Sequence, residues 1–290
     1  TAAYGMKVFH SDLAVRHNQI HDCGRLGITY FIYDKRDVHF RRISIEHNTF
    51  FNGHHSPGIE LVSWGGDPIS AVSIHNNWFA GDPTVALPSE STYHIRTGGR
   101  FAQVFDGLSI VNNVFTYSPG FGAYVQDARN STIHFNTFYG VNPSFGGNGA
   151  LLAFYGDITN TVARNNIFVN DVEPTTSDEF ACVRAFAGDS GQLDIDYGLY
   201  FATDPAALLV RSEQQRFTAA DWATYRSSFG WDSNSFVQQD PGFVDGSSGD
   251  FRLQSGSVAI GAGQHLPSIP TDHLGQPRSN PPNLGAFAQQ

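Results

Sequence analysis

Apolar and polar positions follow a pattern that recurs six times along the chain. Two apolar-leaning positions two residues apart are followed by an asparagine, and a bulky apolar residue stands two places beyond it. The asparagine and apolar pairs are Asn18/Ile20, Asn48/Phe50, Asn77/Phe79, Asn113/Phe115, Asn136/Phe138 and Asn166/Phe168. Three residues before each asparagine stand Val15, Ile45, Ile74, Ile110, Ile133 and Ala163; five before stand Leu13, Ile43, Val72, Leu108, Ser131 and Thr161. Segments such as Ile43-Ser-Ile45-Glu-His47 alternate with period two and predict strands. The asparagine tolerates left-handed backbone and predicts a tight bend. A second short run (Thr49-Phe50-Phe51), a Gly-containing loop and a third run (Ile59-Glu-Leu61-Val62) complete the unit. Within these repeats Gly, Asn and β-branched residues interrupt every window long enough for a helix.

Three short strands and three bends close one turn of a coil. The asparagines recur at intervals of 30, 29, 36, 23 and 30 residues, so length varies in loops around a constant unit, as in a repeat architecture. Turns stacked at about 4.8 Å would pair each strand with its equivalents above and below. The Phe column would pack face to edge inside, and the asparagine amides would bond from turn to turn as a ladder. Residues 171–216 lose the marker, although Leu193-Asp-Ile195-Asp-Tyr-Gly-Leu-Tyr200 predicts a further turn, and Asn234-Ser-Phe236 reads as a late variant of the corner. Thr218–Tyr225 predicts a short helix with Thr218 as its cap and Trp222 and Tyr225 facing the coil. The Pro-rich stretch from Pro267 to Pro282 predicts an extended tail. The expected organisation is all-β: a solenoid over 1–216 and a C-terminal capping segment over 217–290.

Repeats such as Ile43-Ser-Ile-Glu-His-Asn48-Thr-Phe50 and Leu108-Ser-Ile-Val-Asn-Asn113-Val-Phe115 resemble those of right-handed parallel β-helix proteins of the pectate-lyase-like superfamily. The likeness covers about residues 10–170. Asp240-Pro-Gly-Phe243, Gly256-Ser-Val-Ala-Ile-Gly-Ala-Gly263, Asp272-His-Leu-Gly275 and Asn283-Leu-Gly-Ala-Phe287 resemble the closing segment of secreted bacterial β-helix proteins. The resemblance implies a secreted or cell-surface protein acting on polysaccharide, and the superfamily spans lyases, hydrolases, epimerases and non-catalytic surface proteins.

Net charge is −10, and Lys7 and Lys35 are the only lysines, which argues against nucleic acid as a partner. No apolar stretch approaches the roughly 20 residues of a membrane span. The chain enters its first repeat almost at once, so a missing N-terminal segment, a partner or self-association is expected to cover that end. Cys23 and Cys182 follow asparagine rungs about five turns, or roughly 24 Å, apart, beyond the reach of a disulfide.

In relatives of this kind the substrate lies along the strand after the long loop. The matching runs are Gly27-Ile-Thr-Tyr30, Gly58-Ile-Glu-Leu61, His94-Ile-Arg96, Gly122-Ala-Tyr-Val-Gln126 and Gly149-Ala-Leu-Leu152. With Ile28, Ile59, Ile95, Ala123 and Ala150 inward, period two turns Glu60, His94, Arg96, Tyr124, Gln126 and Leu151 outward. β-Elimination from a uronate needs a base, a cation for the carboxylate and an acid for the leaving oxygen. Glu60, His94, Arg96 and Tyr124 are the candidate catalytic group, with His54, His55, Gln126, Lys35 and Arg129 as candidate substrate contacts. Lys35 and Arg36 match the basic residue such lyases use as proton acceptor, but Asp34 and Asp37 beside them would raise a lysine pKa. Calcium is the one cofactor the resemblance leaves open, and Asp22, Asp82 and Asp127 fall on separate turns. Two other readings stand beside the lyase. A non-catalytic glycan-binding or filament rod would use exposed rings such as Trp64 and Trp78. A hydrolase would need paired carboxylates, and no Asp-Asp doublet stands on a groove strand.

Overall fold

The computed structural model describes residues 6–8, 11–23, 26–32, 41–51, 56–63, 68–84, 93–99, 104–118, 120–141, 149–171, 180–187 and 192–288. It is a parallel β-helix in which the described residues form seven stacked coils, each with three strands. The first limb comprises Leu13–Arg16, Arg41–Glu46, Ile69–His75, Phe105–Val111, Thr132–His134, Thr161–Arg164 and Leu193–Asp196. The second limb is short and runs from Gln19–His21 through Val114–Ser118 to Leu199–Ala202, with Phe236–Val237 added at the end. The third limb comprises Met6–Val8, Leu26–Ile32, Ser56–Ser63, Tyr93–Gly99, Phe121–Arg129, Ala150–Thr159, Ala181–Ala187 and Leu208–Ser212. First and third limbs are continuous in one sheet, because Phe121–Arg129 pairs with Tyr93–Gly99 at its start and with Phe105–Val111 at its end. Leu193–Asp196 and Leu199–Ala202 form the turn expected beyond the last asparagine.

The asparagines line up as a ladder along the rod. Each Oδ1 accepts both the backbone N–H and the Nδ2–H of the asparagine one coil earlier, as where Asn77 donates to Asn113 at 2.9 and 3.1 Å and Asn113 to Asn136 at 2.9 and 3.1 Å. The second Nδ2 hydrogen reaches the carbonyl oxygen of the apolar residue opening the preceding corner: Asn113 to Ile74 at 2.7 Å, Asn136 to Ile110 at 2.9 Å. The buried amide is therefore fully used.

The sequence expectation for the bend itself is corrected. The left-handed residue is the one before each ladder asparagine: His17, His47, Asn76, Asn112, Phe135 and Asn165 have φ between 54° and 62°, and Tyr197, before Gly198 at the equivalent corner, has φ 52°. The asparagine is chosen for its four hydrogen-bonding positions rather than for a strained backbone. The aromatic column is also corrected, from face to edge to face to face. Phe50, Phe79, Phe115, Phe138, Phe168 and Tyr200 stack with centroids 4.5–5.1 Å apart and interplanar angles of 4–27°. Strand pairing fixes the coil spacing, and rings held one above the other in register at that spacing lie flat on each other. The late corner is displaced by one residue. Phe236 pairs with Leu199 and Val237 with Tyr200, so Ser235 takes the asparagine's place, and its Oγ accepts Gly198 N–H at 2.7 Å.

The helix is Trp222–Phe229, preceded by a 3₁₀ turn, with Thr218 and Asp221 forming a capping box. It closes the C-terminal end: Trp222 packs on Tyr200, and Tyr225 on Trp222 and Phe217. A fully buried carboxylate ties this cap to the coil. Asp232 Oδ2 accepts from Tyr225 at 2.5 Å and Tyr200 at 3.1 Å, and Oδ1 accepts from Ser235 at 2.5 Å. Burial pushes its pKa up to about 6, against the opposing pull of those hydroxyls. A carboxyl raised in the fold favours folding when protonated, so its contribution is complete below the ordinary carboxylate range and is lost as pH rises through about 6. The gap in Tm between wild type and Asp232→Asn is therefore expected to change between about pH 4 and pH 6; a gap constant across that window would contradict titration of Asp232 there.

Residues beyond 240 run back along the outside of the second limb. Phe243, Phe251, Leu253, Leu284, Ala286 and Phe287 cover the outer side chains Trp78, Val114, Tyr139, Ile167 and Leu199. Left-handed corner residues dock this tail. Asn112 Nδ2 donates to Thr271 O at 2.9 Å, Asn165 Oδ1 accepts Gln264 N–H at 2.8 Å, and the Arg278 guanidinium lies 3.8 Å from the Phe135 ring centre. Trp78 is thus packed against Phe251, His273 and Phe287 rather than exposed as a contact residue. Among the described residues no helix is long and apolar enough to cross a membrane.

Candidate functional site

The third limb places the candidate residues by its register. Arg96 pairs with Glu60 on one side and with Tyr124 on the other, and the row continues through Ala153, Arg184 and Arg211. Val62, Gly98, Gln126, Tyr155 and Phe186 form a second row two residues further along. The structure therefore brings Glu60, Arg96, Tyr124 and Gln126 onto one outer face, as period two dictates.

Glu60 and Arg96 form an ion pair, with Nη1 3.0 Å from Oε1. Glu60 is only 6% exposed, and its Oε2 is buried with no hydrogen-bond partner among the described residues. The Arg96 guanidinium also lies 5.1 Å from the Tyr93 ring centre. Burial, helped by Tyr93 and Tyr155, raises the Tyr124 hydroxyl well above its ordinary pKa, so it holds its proton. Gln126 Nε2 donates to Asp127 Oδ2 at 2.9 Å, and its amide occupies the space above Gly98.

Rings accompany the charges. Tyr93 stacks on Phe121 at 5.3 Å, Tyr124 meets both edge-on, and Tyr124 stacks on Tyr155 at 5.2 Å. Phe186 follows Tyr155 at 5.1 Å, with the guanidinium groups of Arg184 and Arg211 at 4.5 and 5.5 Å from its centre. Sequence reading missed Tyr155, Phe186, Arg184 and Arg211. The usable signal was the match of Leu152-Ala-Phe-Tyr155 and Val183-Arg-Ala-Phe186 to Ala123-Tyr-Val-Gln126, hidden by unequal loops before each run.

His94 is corrected. It is fully buried between Phe79 and Phe115, its Nε2 lies 3.0 Å from Thr116 O, and burial pushes its pKa down to about 4. Leu151, expected outside, is also buried, and the inward column runs Ile59, Ile95, Ala123, Leu152, Val183, Val210, not through Ala150. One cause explains both. At the bend entering the third limb, two successive residues face the core, so His94, Leu151, Cys182 and Leu209 are buried immediately before that column. Glycine holds the same place as Gly58 and Gly122, where an added Cβ would fall 1.8 Å from His94 O and 2.4 Å from Leu151 O.

Arg129 lies beyond the bulge that follows Gln126, paired with Asp106 at 3.2 Å, and so stands apart from the row. His134 is buried and accepts the backbone N–H of Arg164 at 3.1 Å, while His17 and His47 stack on each other at 5.0 Å. Lys35, Arg36, His54, His55 and Trp64 lie outside the described residues. Among the described residues no three His, Cys, Asp or Glu side chains converge as a metal site. No known protein family matches this chain, and no curated protein matches it in sequence.

Proposed function

We propose that this chain is an extracellular, pectate-lyase-like β-helix that engages an acidic polysaccharide along the outer face of the third limb. The observation that carries the reading is the run of rings Tyr93, Tyr124, Tyr155 and Phe186 on four successive coils, with Phe121 buried against the first two and Arg96, Arg184 and Arg211 alongside. A pyranose has an apolar C–H face that packs on an aromatic ring while its hydroxyls stay at the rim. Rungs at about 4.8 Å repeat at nearly the interval of residues in an extended glycan. A guanidinium fork matches a carboxylate in a bidentate fashion, and Arg211 stands beside Phe186 at the end of the ring row, while Arg96 is paired with Glu60 and Arg184 is buried.

Cleavage by β-elimination on the same face is the second reading, favoured by the unpartnered, buried Glu60 Oε2 beside Arg96. In that step Glu60 takes the proton next to the sugar carboxylate, the C–O bond to the neighbouring sugar breaks, and Tyr124 protonates the leaving oxygen.

Affinity electrophoresis in polyuronate gels tests the binding. Retardation is expected in polyuronate and not in neutral glucan, and Tyr155→Ala is expected to weaken it about tenfold. Equal mobility of the two proteins would remove the ring row from the site. Ultraviolet absorbance of unsaturated products separates the two readings: a rise that Glu60→Gln abolishes supports elimination, and a flat trace across a uronate panel leaves binding alone.

A further inference from the structure

We propose a second, separate reactive site on the outer face of the first limb, in which Ser109 is a nucleophile with His75 as its general base and Glu46 as the neighbouring carboxylate on the preceding coil, acting on acyl esters. The three residues stand on three successive coils. Glu46 and His75 are register partners, and Ser109 lies on the next coil in register with Ser73, diagonally across from His75. His75 Nε2 is 2.7 Å from Ser109 Oγ, inside the reach a nucleophile and its base require. Both side chains are half-buried on a sheet face that an ester carried on an extended chain can approach.

This contact differs from the others on the limb. Ser44 donates to Glu46 of its own strand at 2.6 Å, and the His134 imidazole is committed to the backbone N–H of Arg164. Burial lowers the His75 pKa below the ordinary histidine range, Glu46 pulls it back up and His47 presses it further down. At neutral pH the ring is therefore the uncharged imidazole that accepts a proton, and its Nδ1 carries the hydrogen when Nε2 accepts from Ser109. Arg16 holds Glu46 at 3.2 Å, and the next rung brings the uncharged Ser109 and Val111 to the imidazole. Thr132 Oγ1 lies 3.4 Å from Ser109 Oγ and would be the side-chain donor for a developing oxyanion.

The step balances with water as the only co-reactant. Ser109 Oγ bonds to the ester carbonyl carbon while its proton passes to His75 Nε2. The alcohol leaves with that proton, giving an acyl-serine. Water, deprotonated by His75, attacks the acyl carbon, and the proton returns to Ser109 as the acid departs. The site lies on a different limb from the polysaccharide face and does not rest on that reading.

The test is covalent labelling of the intact protein with a fluorophosphonate, peptide mapping of the adduct, and turnover of p-nitrophenyl acetate. The adduct is expected on Ser109, with Ser109→Ala eliminating both label and turnover and His75→Gln slowing acylation about 100-fold. Glu46→Gln is expected to move the acid limb of the rate profile to lower pH, because the carboxylate raises the His75 pKa; an unmoved limb would contradict its role. Mapping on the unaltered protein needs no variant to fold. No adduct, an adduct elsewhere, or wild-type turnover equal to that of Ser109→Ala would overturn the proposal.

Discussion

Replacing Asn113 by alanine is expected to lower stability by about 3–5 kcal/mol, measured by denaturant unfolding. The side chain is fully buried in the middle of the ladder, so its loss strands several groups at once. Asn77 loses the acceptor for its backbone N–H and its Nδ2, and Ile74 O and Asn136 Oδ1 each lose a donor. None can turn to water without opening the corner, and an unpaired buried polar group costs about 1–3 kcal/mol. Asn18→Ala is the internal comparison. Asn18 is exposed at the end of the ladder, donating to Asn48 Oδ1 and Arg16 O, and its loss is expected to cost about 1 kcal/mol or less. Equal losses at the two positions would refute a cooperative buried ladder.

Phe115→Ala is expected to cost about 3–5 kcal/mol in the same measurement. The ring has no exposure and stacks between Phe79 and Phe138 at 4.9 and 4.5 Å. Strand pairing above and below fixes the coil spacing, so the neighbouring rings cannot close the gap, and the cavity term adds to the lost transfer free energy. Phe115→Leu fills most of that volume and should cost clearly less. A loss for alanine as small as that for leucine would mean that the coils relax along the rod.

The stacking of Glu60, Arg96 and Tyr124 was legible because each follows an inward apolar residue in a strand of the same limb, and period two does the rest. His94 and Leu151 defeated the same rule, because alternation fails where the chain turns a corner and two successive side chains face the core. Tyr155, Phe186, Arg184 and Arg211 were illegible for another reason. Their strands are separated from the asparagine corners by loops of unequal length, so the sequence offers no fixed offset from which to count. The Ser109 and His75 contact joins positions 34 residues apart and depends on which way an imidazole leans, a choice made by packing and not by periodicity.

By itself the sequence determined a rod of stacked coils. A repeated asparagine and a repeated apolar pair admit only one arrangement in which every buried amide and every ring finds its equivalent at a single spacing. Only the tertiary structure decided which residue of each corner is left-handed, that the rings lie flat, that the C-terminal tail covers the second limb, and which outward side chains meet across coils. Those outcomes depend on contacts between residues far apart in the chain, where the geometry of bends and the volume of neighbouring side chains override local pattern.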